Sequence, residues 1–102
     1  MSDQPASPDA AALRVSRADD SSRYEGRLAG ELATVIDFHR RGDVLVFTHT
    51  GTEPRWRGRG LAAATTRQAL EDVRVQGLRV RAVCSFTAAY FDDHPEVADL
   101  RA

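Results

Sequence analysis

Six consecutive residues, RWRGRG at 55–60, put three arginines and two glycines on one short segment. Glycines let a ligand approach the backbone amides, and arginines pair with phosphate oxygens, so this composition suits an anion carrying more than one phosphate. Two common phosphate loops are excluded by their own requirements. A P-loop needs a lysine, and every one of the 14 Lys/Arg side chains here is arginine. A dinucleotide fingerprint needs a third glycine, whereas Gly58 and Gly60 run into Leu61, Ala62 and Ala63. Two more residues have reactive side chains. Cys84, the sole cysteine, is either a small buried hydrophobe at a strand end or a reactive thiol; it immediately precedes a predicted helix, where thiol pKa values fall. His49 is either a hydrogen-bonded partner on a strand face or a base. His94, followed by Pro95, reads as a helix terminator. Three histidines and one cysteine without close paired spacing are not a zinc pattern, and no metal is expected.

The elements that would position these residues follow from periodicity. From Ser22 to Thr50 the chain alternates as strands do, with Tyr24, Gly26 and Leu28, then Leu32, Thr34, Ile36 and Phe38, then Leu45, Phe47 and His49 on one face, against Val44, Val46 and Thr48. LAGE and RRGD supply the turns between these runs, which makes an antiparallel meander. After Gly60 the alanine-rich LAAATTRQALEDVRVQ predicts a helix of about four turns that stops at Gly77. LRVRAV then alternates as a strand, and SFTAAYFDD forms a short second helix. The fold class is therefore α+β, with three or four N-terminal strands in a mostly antiparallel sheet, a long helix, a further strand and a short C-terminal helix. Residues 1–12, polar and proline-containing, read as a disordered tail before a single domain at 13–102. RWRGRG thus lies between a strand and a helix N-terminus, where amides lack partners and the helix dipole is positive.

In that setting Arg55, Gly58 and Gly60 resemble the pyrophosphate-binding signature Gln/Arg-x-x-Gly-x-Gly/Ala of the GCN5-related N-acetyltransferases. HTGTEPRWRGRGLA followed by CSFTAAYFDDHPEVADL is similar to the small, single-domain branch of that superfamily, which carries a His-Thr pair before the loop and a cysteine after the next strand. The family's Glu-Val-Pro after His-Thr is replaced by Gly51, Thr52 and Glu53, and its proline after the cysteine by Ser85. The resemblance implies an acetyl-CoA site. Arg55, Arg57, Gly58, Arg59, Gly60, Leu61 and Ala62 would hold the pyrophosphate, and the pantetheine arm would run between the strand ending near His49 and the strand ending near Val83. It implies Cys84 and His49 as the catalytic pair, His49 as base for the acceptor or for Cys84, and Cys84 as nucleophile or proton donor. The superfamily's tyrosine acid would fall on Phe91, with Tyr90 one residue early, so Cys84 stands in for it.

The expected activity is acetyl transfer from acetyl-CoA to an amine, on a small molecule or a peptide. The alternatives are a non-catalytic module that binds coenzyme A or another polyphosphate, and a nucleic-acid-binding domain built on Trp56 and its flanking arginines. A net charge of −1 disfavours general attraction to nucleic acid or to an anionic membrane. A single cysteine and the lack of a long apolar run fit the cytoplasm, as a monomer or small homo-oligomer.

Overall fold

The computed structural model describes residues 7–102. The alternating residues form strands β2 (Arg23–Leu28), β3 (Glu31–Arg41) and β4 (Val44–Thr52), and Arg14–Ala18 ahead of them form a further strand, β1. They pair in chain order, each antiparallel to the next. Helix α2 (Leu61–Val75) then crosses over one face and returns the chain as β5 (Arg79–Ala82), parallel to β4. Helix α3 (Ser85–Asp93) and a 3₁₀ segment, Pro95–Leu100, close the chain, and Arg101 bridges Val80. The α+β class and the order of elements agree with the sequence expectation.

Three findings go beyond that expectation. Pro8–Ala12, expected within a disordered tail, form a short helix, α1, capped by the Ser7 hydroxyl, which accepts from the Ala10 amide at 3.2 Å. Its Ala10 and the following Leu13 are buried beside Leu28, Ala33 and Leu61, an apolar contact that composition alone does not signal; residues 1–6 lie outside the described residues. β1 forms ahead of the alternating run that begins at Ser22. β2 and β3 also shift register between Gly26 and Arg27, so Ala33 takes a buried place and Leu32 is only half-buried.

α2 and α3 lie on the same side of the sheet. α2 buries Leu61, Thr65, Thr66, Ala69, Leu70 and Val73, one stripe at helical spacing. Ala69, Leu70, Val73, Tyr90 and Phe91 share one apolar cluster with Tyr24, Ile36, Phe38, Phe47 and Val80 of the sheet. Tyr24 donates to Asp72 Oδ2 at 2.7 Å, and Arg17 pairs with the same carboxylate at 3.0 Å. Burial, and then the Asp72 carboxylate, push the Tyr24 phenol pKa upward, so it stays a neutral donor and ties α2 to the sheet.

α2 approaches the sheet closely at Gly26, where a Cβ would come within 3.1 Å of Thr65 Oγ1. Thr34 and Thr65 hydroxyls meet at 2.6 Å in the buried layer, and a Cβ on Gly26 would sit 2.1 Å from Thr34 Oγ1. Gly26→Ala must therefore push apart a bonded pair of hydroxyls. The variant is expected to lose about 3 kcal/mol in urea unfolding, from overpacking together with a stranded buried hydroxyl.

Candidate active site

β4 and β5 part company halfway along β4. Their pairing runs from Val44 opposite Arg79 to Phe47 opposite Ala82. The Val83 and Cys84 amides then both donate to the Phe47 carbonyl, at 3.1 and 2.9 Å, as the chain turns away into α3. Residues 48–52 of β4 continue without a strand beside them on that edge among the described residues. The result is a wedge-shaped cleft with unpaired backbone along one wall.

At the mouth of this cleft β4 carries a bulge. Asp37 pairs with His49 but Phe38 pairs with Phe47, so Thr48 is an extra residue, and the alternation reverses beyond it. The sequence reading put His49 on the face of Leu45 and Phe47. The structure corrects this: His49 lies with Asp37 on the face away from the helices, and Thr50 lies with Ile36 on the helix face. His49 is exposed, with Nε2 at 3.2 Å from where a Gly51 side chain would begin. A larger residue at 51 would crowd the ring. Leu32, Val35, His49, Gly51, Pro54 and Arg57 line a cavity of about 290 Å³ on the β3 side of β4.

Cys84 is on the helix side of the cleft, where its neighbour is Thr50 rather than His49. Thr50 Oγ1 stands 3.5 Å from Cys84 Sγ. Cys84 is also the N-cap of α3. Burial raises the thiol pKa, but the Thr50 hydroxyl, the Thr87 and Phe86 amides and the Thr87 hydroxyl together outweigh it, leaving the thiol more acidic than an ordinary cysteine. Thr87 Oγ1 is buried and has no other hydrogen-bond partner among the described residues. Neither threonine was singled out from sequence. Thr50 carries a signal as the second half of His-Thr; Thr87 carries only its place three residues into the helix.

RWRGRG leads from β4 to α2 through a 3₁₀ turn, Pro54–Trp56. Gly58 and Gly60 have φ of +78° and +73°, and Gly60 caps α2 without any side-chain hydrogen bond. The first helical bond is Ala64 N to Gly60 O, so the amides of Leu61, Ala62 and Ala63 open the helix without intrahelical acceptors. The three arginines divide. Arg55 pairs with Glu31 and stacks 4.2 Å over Trp56, which packs on the cluster around Ala10 and Leu61. Arg59 pairs with Asp9 at 2.5 Å, and Ser7 Oγ donates to its carbonyl. Arg57 donates to the Thr52 carbonyl at 3.3 Å and has no acid partner among the described residues. Exposed pairs of this kind are worth about 0–1 kcal/mol, so Arg55 and Arg59 remain available to a stronger anion.

Tyr90 and Phe91 are both in the core, with Tyr90 stacked on His94 at 3.8 Å. His94 Nδ1 lies 2.7 Å from the Tyr90 carbonyl at the end of α3, a helix-terminating position. Among the described residues no three His, Cys, Asp or Glu side chains gather as metal ligands would, and no helix is long and apolar enough to cross a membrane.

The sheet splits beside a bulged strand, near an open helix N-terminus, in a mixed α+β architecture that solved structures share. The NMR solution structure of a GCN5-like N-acetyltransferase candidate from Staphylococcus aureus matches it with a TM-score of 0.67 at 17% identity, covering 89% of each chain. The crystal structure of the ribosomal-protein-S18-alanine N-acetyltransferase from Escherichia coli matches with a TM-score of 0.57 at 14% identity, over 70% of this chain and 49% of that one. The chain thus spans about half the length of the Escherichia coli enzyme. No curated protein matches it. The family model described as GCN5-related N-acetyl-transferase matches residues 23–100, and the chain belongs to that family.

Proposed function

We propose that this chain is an acetyl-CoA-dependent N-acyltransferase. The observations that carry the reading are the parting of β4 from β5 beside the Cys84 sulfur and the open N-terminus of α2 that follows β4. The residues present fit the cofactor by their own chemistry. Positive-φ glycines at 58 and 60 and the amides that open α2 without intrahelical acceptors suit a pyrophosphate, with Arg55, Arg57 and Arg59 at the rim. The unpaired edge of residues 48–52 suits the amide groups of a pantetheine arm. When bound, acetyl-CoA supplies an acetyl group already activated as a thioester.

The division of the two candidate side chains between opposite faces assigns them different work. His49, exposed on the open face, takes the proton of the incoming amine at its ring nitrogen. Cys84 does not rely on His49. Its sulfur, made acidic by Thr50 and the first turn of α3, acts on the helix side of the cleft as nucleophile or proton carrier.

Calorimetric titration with acetyl-CoA and with coenzyme A tests the reading. Saturable binding of both at one site per chain is expected, with release of free thiol once an amine acceptor is supplied. His49→Ala is expected to bind both ligands normally and to lose about 10²-fold or more in turnover. Absence of binding at low salt would overturn the proposal. Binding without turnover by any amine would leave a coenzyme A-binding module in its place.

A further inference from the structure

The face of the sheet turned away from α2 and α3 is covered by no element among the described residues. Strand pairing places Arg14, Arg23, Arg27, Arg41, Arg79 and Arg81 on it. The acids in the same rows are Glu25 and Asp37, which leaves this face a net +4 on a chain whose total is −1. The rest of the chain is therefore net negative, and the molecule is strongly polarised. Glu25 is already engaged by Arg23 at 2.8 Å and by Arg27 at 2.9 Å, and these two arginines hold its carboxyl below the usual range. Arg14, Arg41 and Arg81 have no acid partner among the described residues. Between them Val35, Val44 and Val46 form an apolar floor.

This field is continuous with the cleft. His49 lies in one cross-strand row with Asp37 and Arg23, and Val83, which follows β5 directly, is 61% exposed. Any acceptor that brings its amine to His49 lies over the arginines. A small polycationic amine would be repelled there, whereas an amine carried within an acidic stretch would be drawn in. Nearby positive charge also lowers an amine's pKa, favouring the unprotonated nucleophile. Single-stranded nucleic acid is less suited, because the face has no Phe, Tyr or Trp on which bases stack: Tyr24, Phe38 and Phe47 all point into the helix-side core.

We propose that the open arginine-rich face of the sheet is the acceptor docking surface, and that the acceptor is a polypeptide whose reactive amine lies within an acidic segment. This rests on the N-acyltransferase reading, and its test separates the two. Three fluorescein-labelled peptides of equal length, each with one free amine flanked by Asp/Glu, by Ser/Gly or by Arg, are titrated with the full chain by anisotropy, without any cofactor. The same peptides are then offered with acetyl-CoA and their acetylation is read by mass spectrometry. The acidic peptide is expected to bind about tenfold or more tightly than the neutral one, with the difference shrinking as salt rises. It is also expected to be the preferred acceptor. Arg41→Glu/Arg81→Glu should erase the preference, while Arg67→Glu on α2 should preserve it. Equal binding of all three peptides, a preference indifferent to the double variant, or tighter binding of a single-stranded DNA of equal charge would overturn the docking surface. Acidic-peptide binding without its acetylation, in a chain that calorimetry finds loaded with acetyl-CoA, would overturn the acceptor assignment. Failure of the acyltransferase reading is registered separately, by absent acetyl-CoA binding in calorimetry.

Discussion

In the Cys84→Ala variant, acetyl-CoA binding is expected to persist while turnover falls about 10²–10⁴-fold, the range typical of losing a positioned proton-transfer or nucleophilic group. The expectation follows from where the sulfur sits. It caps α3, takes the Thr50 hydroxyl at 3.5 Å and lies at the closed end of the cleft, so it meets whatever the cleft holds rather than serving the core. Thr50→Val removes the strongest of the influences that make the thiol acidic. Its alkylation by iodoacetamide should then need a higher pH than in the parent protein, since a lost donor destabilises the thiolate. Turnover should drop in the same variant without loss of cofactor affinity. Tyr90→Phe is the contrasting control. Tyr90 is buried in the core and stacked on His94, so its replacement should leave the rate nearly unchanged. Collapse of activity in Tyr90→Phe beside a nearly intact Cys84→Ala would make the tyrosine the working acid and sink this assignment. Acetyl found on Cys84 after acid quenching would identify it as nucleophile, and its absence at full turnover would leave it the proton carrier.

What the sequence reveals and conceals about this arrangement divides along local and non-local lines. α2 was legible because its signals lie within it: alanine-rich composition, a helical stripe from Leu61 to Val73, and Gly77 at φ +70° to end it. α3 and β5 were legible for similar reasons. The position of His49 was not. Leu45, Phe47 and His49 alternate without a break, and the extra residue at Thr48 exists only because β3 pairs as it does, with Asp37 opposite His49 and Phe38 opposite Phe47. One inserted residue sends every later side chain to the other face, which is how Thr50 came to replace His49 as the cysteine's neighbour. β1 escaped because the helix-side residues of RVSRA are Val15 and Arg17, and the arginine, paired with Asp72 some 55 positions away, hides the apolar rhythm. The loop arginines tell the same story. Their charge was plain, but their partners Glu31 and Asp9 arrive from distant parts of the chain, and only folding reveals that Arg57 is left without one among the described residues.

Gly58→Ala should weaken acetyl-CoA binding by about tenfold or more while costing only about 1–2 kcal/mol in stability, the penalty for a Cβ at positive φ. The position separates the two effects because a Cβ there meets no atom of the described residues within 4 Å and the backbone φ is +78°. The protein itself therefore pushes back only through the dihedral strain. A bound pyrophosphate must come within hydrogen-bond distance of the surrounding amides, and a methyl group projecting beside them competes for that space. Gly42→Ala supplies the comparison: its φ is +62°, a Cβ there also meets nothing within 4 Å, and it lies in the turn before β4, at the opposite end of that strand from the loop. Urea unfolding should find the two variants similarly destabilised, and calorimetry should find the affinity loss in Gly58→Ala alone. Equal affinities in both would mean that the glycines shape the loop for folding only. The pyrophosphate cradle would then have to be sought away from Gly58, in the arginine side chains at the rim.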